Sequence, residues 1–166
     1  AHLAEEKCAL FKGCQQVFMP EAFRDACAMH LDAAIVTWAI ADEPHAQRAD
    51  LHIRFDKVTQ ELSLEWRGET AQIRLPFADV ASVQNACTAA LVALHLEVKL
   101  TDVAANMADL TTLSGRLSST KRARGGVLIQ DDCNHDFGSL RVALSALDAA
   151  PRAARSVALV GDVPQS

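Results

Sequence analysis

The chain has 166 residues, half of them hydrophobic and 22% charged, which is the composition of a globular protein with one domain or parts of two. Its formal net charge of −5 argues against a general binder of nucleic acid or anionic membranes, because both attract positive charge. No apolar run approaches the roughly 18 residues that span a bilayer, and no secretory leader begins the chain, so we expect a cytoplasmic protein without membrane insertion.

The first part of the chain predicts a parallel sheet. Helical spacing of apolar residues predicts a helix over residues 4–12, which Gly13 would end. A strand over 15–19, a helix over 20–30 that begins at a proline, and a buried strand over 33–40 follow. This β-α-β order predicts parallel strands joined by a crossover helix.

The middle of the chain changes its periodicity twice. The segments LHIRF, LSLEW and AQIRLPF alternate apolar and polar residues, which predicts an antiparallel meander with a turn at residues 67–70. From Val83 to Val98 the apolar residues repeat at three and four, which predicts a helix, and a second helix follows at about 101–110.

The last third begins with a polar, basic segment over residues 114–126 that is typical of a hinge or linker. Beyond it a new β-α-β unit is predicted, with a strand over 127–130, a helix over 139–149 and a strand over 156–160. The five cysteines lack paired C-x-x-C spacing, so we expect reduced thiols and no zinc site. They are Cys8, Cys14, Cys27, Cys87 and Cys133.

The stretch GGVLIQDDCNHDFGS, from Gly125 to Ser139, places two aspartates at the carboxyl end of a strand, where α/β sheets hold their ligands. With SGRL before it and VALVGDVPQS after it, this stretch resembles the junction between the central and C-terminal domains of Mur ligases. The resemblance implies an α/β fold in which residues 1–113 are the second half of a P-loop-type central domain with an antiparallel meander. Residues 127–166 would begin a Rossmann-like C-terminal domain.

The resemblance also implies an activity. It points to an ATP-dependent ligase of peptidoglycan precursor synthesis that uses ATP and Mg²⁺ and joins D-alanyl-D-alanine to UDP-N-acetylmuramoyl-tripeptide through an acyl phosphate. The segment LFKGC near the start resembles the form that is sometimes fused to alanine racemase. No G-x-x-x-x-G-K-[ST] phosphate loop occurs within these residues, so we expect no ATP hydrolysis by this chain alone.

Two residues near the start are implied as metal ligands. Ala1-His2-Leu3 resembles the family segment with a magnesium-binding histidine, and the run from Lys7 to Phe11 resembles the helix with a carbamylated, catalytic lysine. A carbamate would give Lys7 the anionic oxygens that Mg²⁺ prefers. Only four residues separate His2 from Lys7, whereas the family has more than a turn of extra loop. The residues alone favour a frayed terminus and a solvated lysine.

Three residues are implied as nucleotide contacts. ASVQNACTAALVAL resembles the family segment whose second asparagine binds adenine, which implies Asn85. The alternative is a polar residue near the start of a core helix, where asparagine suits a cap. Gly115-Arg116-Leu117 matches a G-R-[LM] element, and the guanidinium of Arg116 suits phosphate or ribose oxygens. Asp132 matches the second aspartate of the D-D-[SC]-Y-N-x-[ND]-x-x-S motif, and Asp131 is interpreted as structural.

The same motif implies substrate contacts at Asn134, Asp136 and Ser139. This chain has no tyrosine where the family keeps one, directly after Cys133. The nearby cations Lys121, Arg122 and Arg124 are interpreted as a solvated face. Two alternatives for the function stay open: a related amide ligase, such as another Mur ligase or a folylpolyglutamate synthase, and a non-catalytic nucleotide-binding fragment without the phosphate loop.

Overall fold

The computed structural model describes residues 2–111, 115, 117–123, 125–131, 137–149 and 155–161. The chain divides into two compact units, residues 1–110 and 111–166. The first unit contains a five-stranded sheet with four α-helices, and the second contains a two-stranded sheet and one helix among its described residues. Across the described residues, no helix combines the length and the apolar character needed to cross a membrane.

The helices and strands of the first unit run in the order expected from the sequence. They are α1 (His2–Cys8), β1 (Gln16–Pro20), α2 (Arg24–Ala28), β2 (Ala34–Ile40), β3 (Leu51–Asp56), β4 (Glu61–Trp66), β5 (Glu69–Arg74), α3 (Val80–His95) and α4 (Leu100–Ala108). Three 3-10 turns connect them, at Ala9–Phe11, Glu21–Phe23 and Ala46–Arg48.

The sheet has the strand order β1-β2-β3-β4-β5. Strands β1, β2 and β3 are parallel, with Phe18 opposite Val36 and Trp38 opposite Leu51. Strands β3, β4 and β5 are antiparallel. The predicted parallel β-α-β unit and the predicted antiparallel meander are therefore both confirmed.

Several predicted boundaries differ from the observed ones. The first helix ends at Cys8 and its last turn tightens into a 3-10 turn, which is common at the carboxyl ends of helices. Pro20 closes β1 and does not begin the next helix, because an edge strand tolerates a residue without an N–H donor. The turn between β4 and β5 is only Arg67 and Gly68, with φ of 50° and 85°, as in a tight two-residue hairpin.

The core of the first unit lies between one face of the sheet and helices α3 and α4. Alternation along each strand directs every second side chain to this face, so Val36 and Trp38 point into the core while Thr37 between them points away. The indole Nε1 of Trp38 donates to Thr88 Oγ1 at 2.9 Å, which gives the buried ring a hydrogen-bond partner on α3. The helical prediction to Val98 was too long, since α3 ends at His95 and Glu97 adopts a φ of 65°.

The second unit contains β6 (Ser118–Lys121), β7 (Val127–Gln130) and α5 (Phe137–Ala149). Strands β6 and β7 pair antiparallel, with Ser118 opposite Gln130. A strand therefore occupies part of the segment that the sequence indicated as a linker. The predicted strand over 156–160 was wrong: these residues have no regular structure, because none of the described residues provides a hydrogen-bonded neighbour for them.

Candidate functional site

Lys7 lies in the last turn of α1, and its side chain is exposed. A cation suits this end of a helix, where unpaired backbone carbonyls carry partial negative charge. His2 begins the same helix, so the two predicted metal ligands are five residues apart on one helix. At 3.6 residues per turn, such positions are separated by about 140° around the helix axis.

The residues that would hold magnesium can be tested for fit. Among the side chains that the structure describes, no group of three or more histidine, cysteine, aspartate or glutamate residues is placed to hold a metal ion. The assignment of His2 and Lys7 to the ion stays a prediction from the resemblance.

Asn85 lies in the second turn of α3 and is exposed. The cap of this helix is Asp79, whose carboxylate accepts a hydrogen bond from the Ser82 backbone N–H at 2.9 Å. Asn85 is therefore not a capping residue, which removes that part of the alternative explanation. Its neighbour Ala86 faces the core, so the amide of Asn85 is displayed to solvent near the amino end of α3. Contact with adenine stays a prediction.

Asp131 directly follows β7, and its Oδ1 accepts the backbone N–H of Leu117 at 3.3 Å. Gly115 has a φ of 79° and Leu117 a φ of 46°, so the residues before and after position 116 both have left-handed backbone conformations. Ser118 Oγ further accepts the backbone N–H of Gly115 at 3.3 Å. The bond to Leu117 gives Asp131 a contact with the backbone of its own unit, and its structural interpretation from the sequence stays a prediction.

The other predicted contacts belong to the second unit. Ser139 lies in the first turn of α5 and is half-buried. Lys121 and Arg122 are exposed, as expected of a solvated face. Four predicted site residues lie outside the described residues, so their roles stay predictions: Arg116, Asp132, Asn134 and Asp136.

The structure contains a buried charge cluster that the sequence analysis missed. Its centre is Glu21, which directly follows β1 and is only 4% exposed. Oε2 of Glu21 accepts hydrogen bonds from Thr37 Oγ1 at 2.6 Å and from Arg24 Nε at 2.7 Å. The Nε of Arg48 lies 3.1 Å from Oε1. We call these four residues, together with Asp25 and Asp50, the Glu21 cluster.

The Glu21 cluster joins three parts of the fold. Arg48 forms a two-pronged pair with Asp25 on α2, with nitrogen to oxygen distances of 2.7 and 3.2 Å. Asp50, just before β3, accepts the backbone N–H of Thr37 at 2.8 Å. Because Thr37 points away from α3, the cluster lies on the opposite face of the sheet from the main core. It fixes α2 and the β2–β3 connection against that face.

Burial raises the pKa of the Glu21 carboxyl. The hydrogen bonds from Thr37 and Arg24 and the charges of Arg24 and Arg48 lower that pKa by more than burial raises it. The net pKa is below the usual value, so Glu21 is an anion at neutral pH. A charged residue at the carboxyl end of a strand, with an arginine three positions later, was the available signal. Its partners Thr37 and Arg48 are distant in sequence, and no local pattern links them to it.

Comparison with known proteins addresses the fold. No protein-family model matches the chain, and no curated protein matches its sequence. The structure of MurF from Acinetobacter baumannii matches 90% of this chain and 33% of that chain, with a TM-score of 0.65 and 22% identity. UDP-N-acetylmuramoylalanyl-D-glutamyl-2,6-diaminopimelate--D-alanyl-D-alanyl ligase from the same organism matches 90% and 34%, with a TM-score of 0.63 and 21% identity.

A pseudomurein peptide ligase type C from Methanothermus fervidus is also similar. It matches 90% of this chain and 38% of that chain, with a TM-score of 0.70 and 12% identity. These structures confirm the predicted fold class, a mixed α/β fold found in part of Mur-type peptide ligases. The chain spans about a third of the length of these proteins.

Proposed function

We propose that this chain is part of an ATP-dependent ligase of peptidoglycan precursor synthesis that adds D-alanyl-D-alanine to UDP-N-acetylmuramoyl-tripeptide. The observation that carries the proposal is the fold match over 90% of the chain to a protein named as a D-alanyl-D-alanyl ligase. The sequence supports the same assignment, since the motifs around Lys7, Asn85, Arg116 and Asp132 resemble those of Mur ligases.

The proposed reaction has two steps. The tripeptide carboxylate attacks the γ-phosphorus of ATP, which forms an acyl phosphate and releases ADP. The amine of D-alanyl-D-alanine then attacks the acyl carbon, which forms the new amide bond and releases phosphate. Both steps depend on positioned groups that stabilise charge on phosphate oxygens and on the carbonyl oxygen.

The chain's own residues would bind and orient the nucleotide. The exposed amide of Asn85 carries a donor and an acceptor, which together match the edge of an adenine ring. Arg116 would hold phosphate or ribose oxygens and Asp132 the ribose hydroxyls. Lys7, once carbamylated, would contribute oxygen ligands to Mg²⁺, which neutralises phosphate charge when bound.

Asn85 offers the sharpest test, because it is a described, exposed residue with an exposed neighbour, Gln84, as control. In the full-length gene product, Asn85→Ala should raise the KM for ATP about fivefold to 150-fold, since lost hydrogen bonds to a ligand cost about 1–3 kcal/mol. Gln84→Ala should leave the KM unchanged. The measurement is phosphate release that requires both UDP-N-acetylmuramoyl-tripeptide and D-alanyl-D-alanine.

Two results would contradict the proposal. Equal effects of the two variants would remove Asn85 from the nucleotide site. Binding of ATP by the full-length protein without phosphate release in the presence of both substrates would favour the non-catalytic nucleotide-binding alternative.

A second candidate is a peptide ligase with a different amine substrate. The TM-score is higher with the pseudomurein peptide ligase, at 0.70, than with MurF, at 0.65, and this favours keeping the second candidate. A panel of amino acids and dipeptides in the same phosphate-release assay separates the two candidates. Turnover with another amine, and none with D-alanyl-D-alanine, would select the second.

A further inference from the structure

Helix α1 is attached to the rest of the first unit at the end that carries Lys7. Cys8, the last residue of α1, is 3% exposed and is the only buried residue among the α1 side chains that the structure describes. Outside the 3-10 turn that continues it, α1 makes its most extensive described contact with α2. The position of Lys7, directly before Cys8, therefore depends on the position of α2.

Polar contacts attach α2 to the sheet. None of its five residues, all of which the structure describes, is buried, so apolar packing holds this helix only weakly. Arg24 donates from Nη2 to Thr37 Oγ1 in β2 at 2.9 Å and from Nε to the buried Glu21 at 2.7 Å. Asp25 is paired with Arg48, which lies in the 3-10 turn before β3. The Glu21 cluster is thus the connection between α2 and the sheet.

We propose that the Glu21 cluster positions Lys7 for the ligase reaction, because it fixes α2 to the sheet and α1 packs against α2. The inference rests on the proposed function, since it takes Lys7 as a catalytic residue. The members of the cluster are positioning residues, which act through the two helices and not through contact with the substrate. Such positioning is important because a displacement of about 1 Å at a reacting group can slow catalysis about a hundredfold.

Thr37 is the member of the cluster that a conservative substitution tests best. Its hydroxyl is fully buried, donates to Glu21 Oε2 at 2.6 Å and accepts from Arg24 Nη2 at 2.9 Å. Thr37→Val keeps nearly the same shape but removes the hydrogen bond between β2 and α2, whereas Thr37→Ser keeps the hydroxyl. Thr70→Val, at an exposed position on β5, is the matched control.

The first measurement is ¹⁵N relaxation of the 166-residue chain, which requires no enzymatic activity. In Thr37→Val, the backbone order parameters of α1 and α2 should fall from about 0.85, the value of rigid backbone, towards about 0.6. Those of α3 should stay at the rigid value, which shows that the fold is intact. Thr37→Ser and Thr70→Val should resemble the wild-type protein in all three helices.

The second measurement is phosphate release by the full-length gene product. Thr37→Val should lower kcat about tenfold to a hundredfold. It should leave the KM for ATP unchanged, because Asn85 lies on α3, on the other face of the sheet. Thr37→Ser and Thr70→Val should retain the wild-type kcat. The folded fraction at the assay temperature, measured by circular dichroism, corrects each kcat for unfolded protein.

The two measurements separate failure of the positioning role from failure of the proposed function. Unchanged order parameters of α1 in Thr37→Val would overturn the positioning role, as would an active wild-type protein whose Thr37→Val variant keeps its kcat. A wild-type protein that binds ATP without phosphate release would instead overturn the proposed function.

A second variant decides the matter if Thr37→Val does not fold. Asp25→Ala removes the pair with Arg48 at a side chain that is 73% exposed, so it should cost little stability. Because Arg24 still holds α2, the order parameters of α1 and the kcat should both fall, but by less than in Thr37→Val. Wild-type values of both in Asp25→Ala would overturn the proposal.

Discussion

At the scale of single residues, the most informative side chain is one that the sequence did not single out. Glu21 is a buried anion with three partners: Arg24 and Thr37 donate to Oε2, and Arg48 lies in ion-pair contact with Oε1, which accepts no hydrogen bond from the described residues. A charge removed from water is stable only when such partners replace the water. The Glu21 cluster therefore belongs to the architecture, and removing one partner should be costly.

Glu21→Gln tests this cost directly. At neutral pH the variant should lose about 3 kcal/mol of unfolding free energy, because two arginines are left facing a neutral amide. Glu6→Gln, at an exposed position on α1, is the control and should change stability by less than about 0.5 kcal/mol. The measurement is urea unfolding followed by tryptophan fluorescence.

The difference in unfolding free energy between the wild-type protein and Glu21→Gln should depend on pH. The folded-state pKa of Glu21 lies below its usual value of 4.5, so its stabilising effect is present above the unfolded-state pKa. The effect is lost as the pH falls through the folded-state pKa. The gap between the wild-type protein and Glu21→Gln should therefore be constant near neutrality and shrink in acid below about pH 4.5. A gap that widens in acid would contradict this account.

A further prediction for a single residue concerns the effect of Lys7 on catalysis. In the full-length protein, Lys7→Ala should lower kcat by about a hundredfold or more, because positioned charge at a transferring phosphoryl group has effects of that size. Lys12→Ala, at another exposed lysine, should leave kcat unchanged. Incubation with ¹³C-bicarbonate should give a carbamate NMR signal that Lys7→Ala lacks and Lys12→Ala keeps. Full activity of Lys7→Ala would exclude the carbamate.

At the scale of elements, the α3 helix illustrates how a local signal sets a boundary. Asp79 accepts the Ser82 N–H and so pairs one of the donors that a helix leaves unpaired at its amino end. Asp79→Ala should destabilise the protein by about 1 kcal/mol, whereas the exposed Asp32→Ala should not. Thermal unfolding of both variants measures the difference, and equal melting temperatures would show that the cap contributes nothing.

The elements also show what could be predicted from sequence and why the rest could not. The meander β3–β5 was predictable, because each strand alternates apolar and polar residues over its own length. The apolar run at 156–160 has the composition of a strand, but a strand also needs a neighbour to pair with. The sequence shows that these residues suit a strand, but it does not show whether a neighbouring strand is available to pair with them.

Some residues of the candidate site could likewise be predicted from the sequence, whereas others could not. Lys7 and Asn85 were found through short motifs, and the structure shows both exposed on helices. The Glu21 cluster was missed because its members come from three separate segments that only the fold brings together. Thr37 is the clearest case: its hydroxyl is fully buried, yet within its strand it is only one polar residue among apolar ones.

At the scale of the whole molecule, the two units differ in how much apolar surface they bury. In the first unit, β3 and β4 contribute four fully buried side chains, Leu51, Ile53, Leu62 and Leu64. In the second, Val127 and Leu128 on β7 are 40% and 39% exposed, and β6 and β7 form a sheet of only two strands. Since two-stranded sheets are marginally stable in water, local opening should cost far less in the second unit.

Native-state hydrogen exchange on the 166-residue chain tests this difference. Backbone amides in the centres of β3, β4 and α3 should exchange only through global unfolding, at the free energy that urea unfolding gives. Paired amides of β6 and β7 should exchange through smaller openings, with a free energy lower by at least about 2 kcal/mol. The turn between β3 and β4, residues 57–60, provides the fast-exchanging reference. Equal protection in both units would mean that the chain unfolds as one cooperative body, and the division at residue 110 would then have no energetic meaning.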